Sequence, residues 1–464
     1  MIDRAARFPL GARITIEALA DDPYPVFHEL RRTEPVTWAP ALGMWLLTRR
    51  DDIVRVLADW ERFTTDSPAS TIRDIFGSHM LTTDGDEQIR YKRRFIGPFR
   101  RGKLEDTLLG TVQGVLDELM GDLEARSGDS GAHGGRADLR ARIARPLSVR
   151  SICRVLGLPD DDGPRLLHWY DHFAAALENF AGEPAVRAAG KDAAAEFRDY
   201  VAPFLRGERA VPKGSMIAAL RSERDPYRPG RGAKRGWGDP LSESEMVANL
   251  LLVLFGGIET TESMIGNAFW AVLSHPEVVD RLAAECSWEG EPGVAHTGLA
   301  SSDPAPSGVE HAGTGHRVGG SLLAGAIEES MRWDPAVQSC MRFATEDVEI
   351  RGVSIARGET VHCLLGAANR DPGHFPDPDR FDPERPNARD HLAFGAGRHF
   401  CLGASLARIE AEQALARVFG GLHGLRLDPE RPSRPYGHEF RTPPTLWVRW
   451  GPPSASIGRS GAGF

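Results

Sequence analysis

Phe394-Gly395-Ala396-Gly397-Arg398-His399-Phe400-Cys401-Leu402-Gly403-Ala404 is the stretch on which the reading of this chain turns. A glycine-rich turn runs straight into a helical pattern from Ser405 to Val418, which sets Cys401 at a helix N-terminus. There the helix dipole and unpaired backbone N–H groups favour a thiolate over a thiol. The glycines let the backbone fold closely around the sulfur and a flat ligand. A lone free cysteine is more often a small buried hydrophobe, so its surroundings must decide between the two readings.

Two further strings stand out upstream. Glu329-Ser330-Met331-Arg332 leads into Trp333-Asp334-Pro335. Taken alone, a Glu and an Arg three apart on a helix make a surface pair worth a few tenths of a kcal/mol. Farther back, Ser242 and Glu245 form a capping box for a helical pattern that starts at Leu241 and continues to His275, where Pro276 stops it. At about 1.5 Å per residue such a helix spans roughly 50 Å. Midway lies Phe255-Gly256-Gly257-Ile258-Glu259-Thr260-Thr261. Glycines in a helix interior cost about 1 kcal/mol each relative to alanine, so the pair serves either close helix packing or a groove for a ligand.

Together these strings resemble the cytochromes P450. The Cys401 string is similar to their haem-binding loop at Phe394, Gly395, Gly397, Arg398 or His399, Cys401 and Gly403. The resemblance implies a bacterial soluble haem-thiolate monooxygenase with haem b as cofactor and Cys401 as the axial iron ligand. It makes Glu329 and Arg332 a structural Glu-x-x-Arg pair, with Arg380 or Arg385 as a third member. It makes Gly256 and Gly257 the opening over the iron, and Glu259 and Thr260 the acid and alcohol of a proton relay. His399, Arg342 and Lys92 are implied as propionate donors, beside Gln88. Relatives commonly carry His and Arg where Gln88 and Lys92 stand; Lys lacks the bidentate fork, and Arg90 or Arg93 could substitute for it. By the same resemblance the substrate pocket draws on Asp66 to Met80, Phe173 to Gly190, Val337 to Met341 and His438 to Phe440. Its specific members are Phe76, Phe173, Leu252, Phe255, Gln338 and Met341. Arg73 is read as a surface residue rather than an inward anion holder.

The rest of the chain bounds this reading. Its 464 residues are 41% hydrophobic and 26% charged, a globular balance, and a formal charge of -9 argues against general nucleic-acid binding. No signal peptide is legible, and the longest apolar run, Val247 to Ile258, is too short for a membrane span. Five scattered cysteines without a C-x-x-C pair suit a reduced cytoplasmic setting. Helical patterns run over Asp22–Thr33, Leu104–Glu124, Arg140–Leu156, Pro164–Phe180 and Ala185–Leu205. Strand signals fall at Val36–Trp38, Met44–Thr48, Val348–Val361 and Thr445–Val448. The fold class expected is mainly α with a small β part. By the resemblance it is a triangular prism formed by one domain, 1–464, with haem between the long helix and the Cys401 loop.

Residues 127–136, 225–239, 289–320 and 451–464 read as loops or tail, the third as an insertion whose His296, His311 and His316 belong to a solvated linker. With no flavin or cluster segment visible, electrons are expected from a ferredoxin and its NAD(P)H-dependent reductase, with Arg100, Arg101, Lys103 and Arg408 as docking charges. A monomer is expected. A peroxide-driven enzyme or a non-catalytic scaffold are the rivals, and an intact Glu259-Thr260 and Cys401 argue against both.

Overall fold

A computed structural model describes residues 4–100, 102–104, 108–126, 134–179, 182–222, 240–286 and 321–451. The expectations for 127–133, 225–239, 289–320 and 452–464, and for Phe180 and Arg101, lie outside those residues. Among the described residues no helix is long and apolar enough to cross a membrane.

The helix Glu243–Leu273 organises the molecule. Its reciprocal cap is formed as the sequence predicts: the Glu245 N–H donates to Ser242 Oγ at 3.3 Å, and the Ser242 N–H donates to the Glu245 carboxylate at 2.7 Å. Buried on almost every side, it packs against Arg145–Leu156, Ala404–Gly421, Leu322–Trp333 and Pro184–Arg206. The two central glycines divide the readings offered for them. A Cβ on Gly257 would come within 2.5 Å of the Ile152 side chain, so its bare Cα sets the approach of Arg145–Leu156. A Cβ on Gly256 would meet nothing within 4 Å.

The expected helix from Arg140 begins with a π turn, Arg140–Ala144, before the α-helix Arg145–Leu156. The wider turn brings residues five apart to one face. Arg140 and Arg145 thereby both reach the buried Glu262, at 2.7 and 3.5 Å.

The main sheet has the strand order Val36–Ala39, Met44–Leu47, Thr360–Leu364, Ser339–Ala344, Phe63–Thr64. Only the pairing of Met44–Leu47 with Thr360–Leu364 is parallel. The strand Ser339–Ala344 was not legible, because it contains no β-branched residue; its pairing with Thr360–Leu364 imposes the conformation. The segment read as a loop to residue 136 instead ends in a strand, Gly135–Asp138, paired with Trp447–Trp450. Gly135 permits this, since a Cβ there would strike the Trp450 ring.

Behind the sheet, Glu329 and Arg332 are fully buried and joined by two hydrogen bonds of 2.6 and 2.8 Å. The third member of this network is Arg385, whose Nε donates to both Glu329 oxygens at 3.0 and 3.2 Å. Arg380 is not that member. Its side chain is exposed, and only its backbone carbonyl takes part, accepting from Arg332 and Arg385. Sequence spacing could not separate two arginines five apart in an irregular segment.

Removing Arg385 takes one of two cations from the buried Glu329 carboxylate and leaves it under-compensated. Arg385→Ala should therefore lower stability by about 3–5 kcal/mol, whereas Arg380→Ala should change it by less than about 0.5 kcal/mol, as read by chemical denaturation. Gly257→Ala should cost about 1–3 kcal/mol through overpacking on Ile152. Equal stability of the Gly257→Ala and Gly256→Ala proteins would refute the packing role.

Candidate active site

The Cys401 loop is shaped by its own backbone before any ligand is considered. Gly395 and Gly397 take φ of +70° and +68°, where a side chain would be strained. The Cys401 N–H donates to the Phe394 carbonyl at 3.0 Å and closes the loop. Gly403 caps the helix Ala404–Gly421. The N–H groups of Gly403 and Ala404 point at the sulfur and, with Lys92 and Arg408 nearby, favour its anionic form. Burial opposes them and holds the free thiol above its ordinary pKa.

Cys401 opens onto a cavity of about 410 Å³ between this loop and the long helix. Phe394, Gly395, Gly403, Gly256, Gly257 and Thr260 share its wall. So do Gln88, Lys92, Arg342 and His399. Lys92 Nζ donates to the carbonyls of Arg398 and Phe400 at 2.8 and 3.1 Å, and Gln88 Nε2 to that of Arg398 at 3.2 Å. Arg342 is buried and donates to the Met341 carbonyl at 2.8 Å. His399 Nε2 lies 2.8 Å from Asp84. Neither Lys92 nor Arg342 has a carboxylate partner among the described residues. A buried and a half-buried cation facing one cavity without counter-charges call for an anionic ligand. A thiol donor, two such cations and the bare Cα of Gly256 fit haem with its two propionates.

Thr260 lines the cavity, and its Oγ1 donates to the Gly256 carbonyl at 2.6 Å. Glu259 does not line the cavity. Its carboxylate accepts from Ser263 Oγ at 3.1 Å and faces the Glu262–Arg140–Arg145 group. Burial, and then the charge of Glu262, raise its pKa to about 7.

The substrate-pocket expectations divide. Leu252, Phe255 and Met341 line the cavity. Phe76 and Phe173 do not: they are buried behind Phe255, edge to face with each other at 5.1 Å. Gln338 turns away, its Nε2 donating to Pro335 O at 2.8 Å and Asp334 at 3.2 Å. Its neighbours Val337 and Ser339 face the cavity, and extended backbone sends alternate side chains to opposite sides. Met264 and Ile152 line the cavity and were missed, because helical periodicity cannot tell a core side chain from one bordering a hollow. Arg73 pairs with Asp66, as a surface residue would. Arg408 is not a free docking charge, since it is bound to Glu328 at 2.7 and 3.1 Å.

Comparison with known proteins agrees with this geometry. The family model described as Cytochrome P450 matches residues 321–427. Mycinamicin IV hydroxylase/epoxidase of Micromonospora griseorubida is 32% identical over 437 residues, covering 91% of this chain and 94% of that protein. The 6-deoxyerythronolide B hydroxylase of Saccharopolyspora erythraea is 31% identical over 424 residues, covering 88% and 90%. Among solved structures, CalO2 is similar with a TM-score of 0.75 at 28% identity, covering 94% of this chain and 99% of that one. This chain belongs to the cytochrome P450 family of haem-thiolate monooxygenases, whose cofactor is haem b.

Proposed function

We propose that this protein inserts one oxygen atom from O2 into a small, largely apolar organic substrate in natural-product metabolism. The observation that carries the reading is the opening of the Cys401 sulfur onto a cavity whose long-helix wall presents Gly256 and Thr260. Bound haem supplies the activation of dioxygen.

The protein's own groups have separable tasks. Cys401 ligates iron as a thiolate, supported by the Gly403 and Ala404 N–H groups. Lys92, Arg342 and His399 hold the propionates, with Gln88 and Lys92 also bracing the Arg398 carbonyl. Thr260 presents a hydroxyl to the cavity, and Glu259 stores a proton one residue away. A carboxyl with a pKa of about 7 both takes up and releases a proton readily near neutrality. Reaching Thr260 requires Glu259 to leave Ser263, with water bridging the remainder. Electrons come from a ferredoxin and its NAD(P)H-dependent reductase in a cytoplasmic setting.

Cys401→Ala should abolish the strongly red-shifted Soret band of the reduced carbon monoxide complex; its persistence would overturn the assignment of the ligand. Thr260→Ala should retain that band while coupled product formation falls on the order of 10²-fold and hydrogen peroxide takes up the electrons.

The Glu259 carboxyl loses its stored proton as pH rises through about 7. Product formed per NAD(P)H oxidised should accordingly decline between about pH 6 and pH 8 in the wild type. In Glu259→Gln it should be low and flat with pH, and an unchanged pH step in that variant would exclude Glu259 as the group responsible.

A further inference from the structure

Among the described residues, the cavity wall contains a single carboxylate, Glu439. Of the basic groups of that wall, Lys92 and Arg342 are assigned to the propionates and His399 is paired with Asp84. Glu439 lies in a segment fixed by its backbone: its carbonyl accepts the Gln338 N–H at 2.9 Å, and Phe440 bridges to Val337. Its side chain is 13% exposed. Oε2 accepts from Ser339 Oγ at 2.7 Å and lies 3.2 Å from His362 Nε2. Oε1 has no partner among the described residues.

These contacts keep an anion in an apolar wall. Burial opposes ionisation of Glu439, and the hydrogen bonds from His362 and Ser339 favour it. No Lys or Arg pairs with it among the described residues. His362 Nδ1 is buried without a hydrogen-bond partner, and its Nε2 lies against both Ser339 Oγ and Glu439 Oε2. His438, pushed down to about 4 by burial, carries no charge at neutral pH. Glu178 accepts the Phe440 N–H, and its own pKa is raised by desolvation and by Glu439. Leu177, Val337, Phe255 and Phe440 make the neighbouring wall apolar. A desolvated carboxylate with one oxygen free is costly unless a ligand brings the counter-charge.

We infer that Glu439 is a specificity-determining residue that anchors a substrate bearing a cationic nitrogen on an otherwise apolar skeleton. This rests on the monooxygenase reading of the cavity. Ser339 and His362 are positioning residues that aim Oε2 inward and leave Oε1 for the ligand. The catalytic groups at Cys401 and Thr260 then act on the apolar part of the bound molecule.

The test uses the haem-loaded protein and three probes built on a ten-carbon chain, decyltrimethylammonium, decanol and decanoate, titrated by calorimetry. The quaternary ammonium has no lone pair and cannot ligate iron. Wild type should bind it at least about tenfold more tightly than decanoate or decanol. Glu439→Gln should remove that preference, while decanol affinity stays within about twofold. Equal affinities in the wild type, or an ammonium preference that survives in Glu439→Gln, would overturn the inference. Should the variant fail to hold haem, the wild-type ranking and the charge-conserving Glu439→Asp, which should keep the ammonium preference, decide instead. A reduced carbon monoxide complex without the red-shifted band would refute the monooxygenase reading while leaving the ranking of the probes to stand or fall by itself.

Discussion

Two adjacent glutamates on the helix Leu322–Trp333 determine where Cys401 can be. Glu329 binds Arg332 and Arg385 and so fixes the irregular chain that approaches the loop. Glu328 binds His391 at 3.1 Å, ten residues before the cysteine, and Arg408 on the helix that follows it. Cys401 is thus stapled to one helix from both sides. These carboxylates are buried, and Glu328 is held well below the ordinary carboxylate range by His391 and Arg408. Buried charges of this kind are costly in any other arrangement, so they select one geometry more than they add stability.

With the loop held in that position, the remaining features of the site follow from what faces it. The long helix presents a bare Cα at Gly256 and turns the Gly257 Cα toward Ile152. One residue of the pair therefore opens the cavity, and its neighbour brings in the helix that braces it. Charge is sorted across the cavity as well. Cations without carboxylate partners gather near the Cys401 loop, while the one carboxylate of the described wall lies against Ser339 and His362. A ligand that is anionic at one edge and a second that is cationic at the other would match this division without competing for the same groups.

Glu259 illustrates how a residue can be correctly singled out and yet be placed unexpectedly. The acid-alcohol pair is contiguous in sequence, but successive helical residues point about 100° apart. Thr260 consequently reaches the cavity while Glu259 turns into the protein, toward the two arginines brought together by the π turn. The same burial that removes it from the cavity moves its proton affinity to neutrality.

The sequence by itself determined the features that depend on neighbours along the chain. The reciprocal cap of the long helix, the amphipathic helices around it and the glycine turn leading to Cys401 are of this kind, since local backbone groups and side-chain periodicity dictate each of them. Tertiary structure alone decided what depends on which distant segment arrives. Arg385 was chosen over Arg380 by the path of an irregular loop, and Ser339–Ala344 became a strand because Thr360–Leu364 lay open beside it. Phe76 and Phe173 were withdrawn behind Phe255, whereas the segment His438 to Phe440, expected at the pocket by resemblance, does bring Glu439 and Phe440 to the cavity. Hydrophobicity and charge are legible in a sequence, but whether a side chain meets protein or empty space is set only when the elements pack.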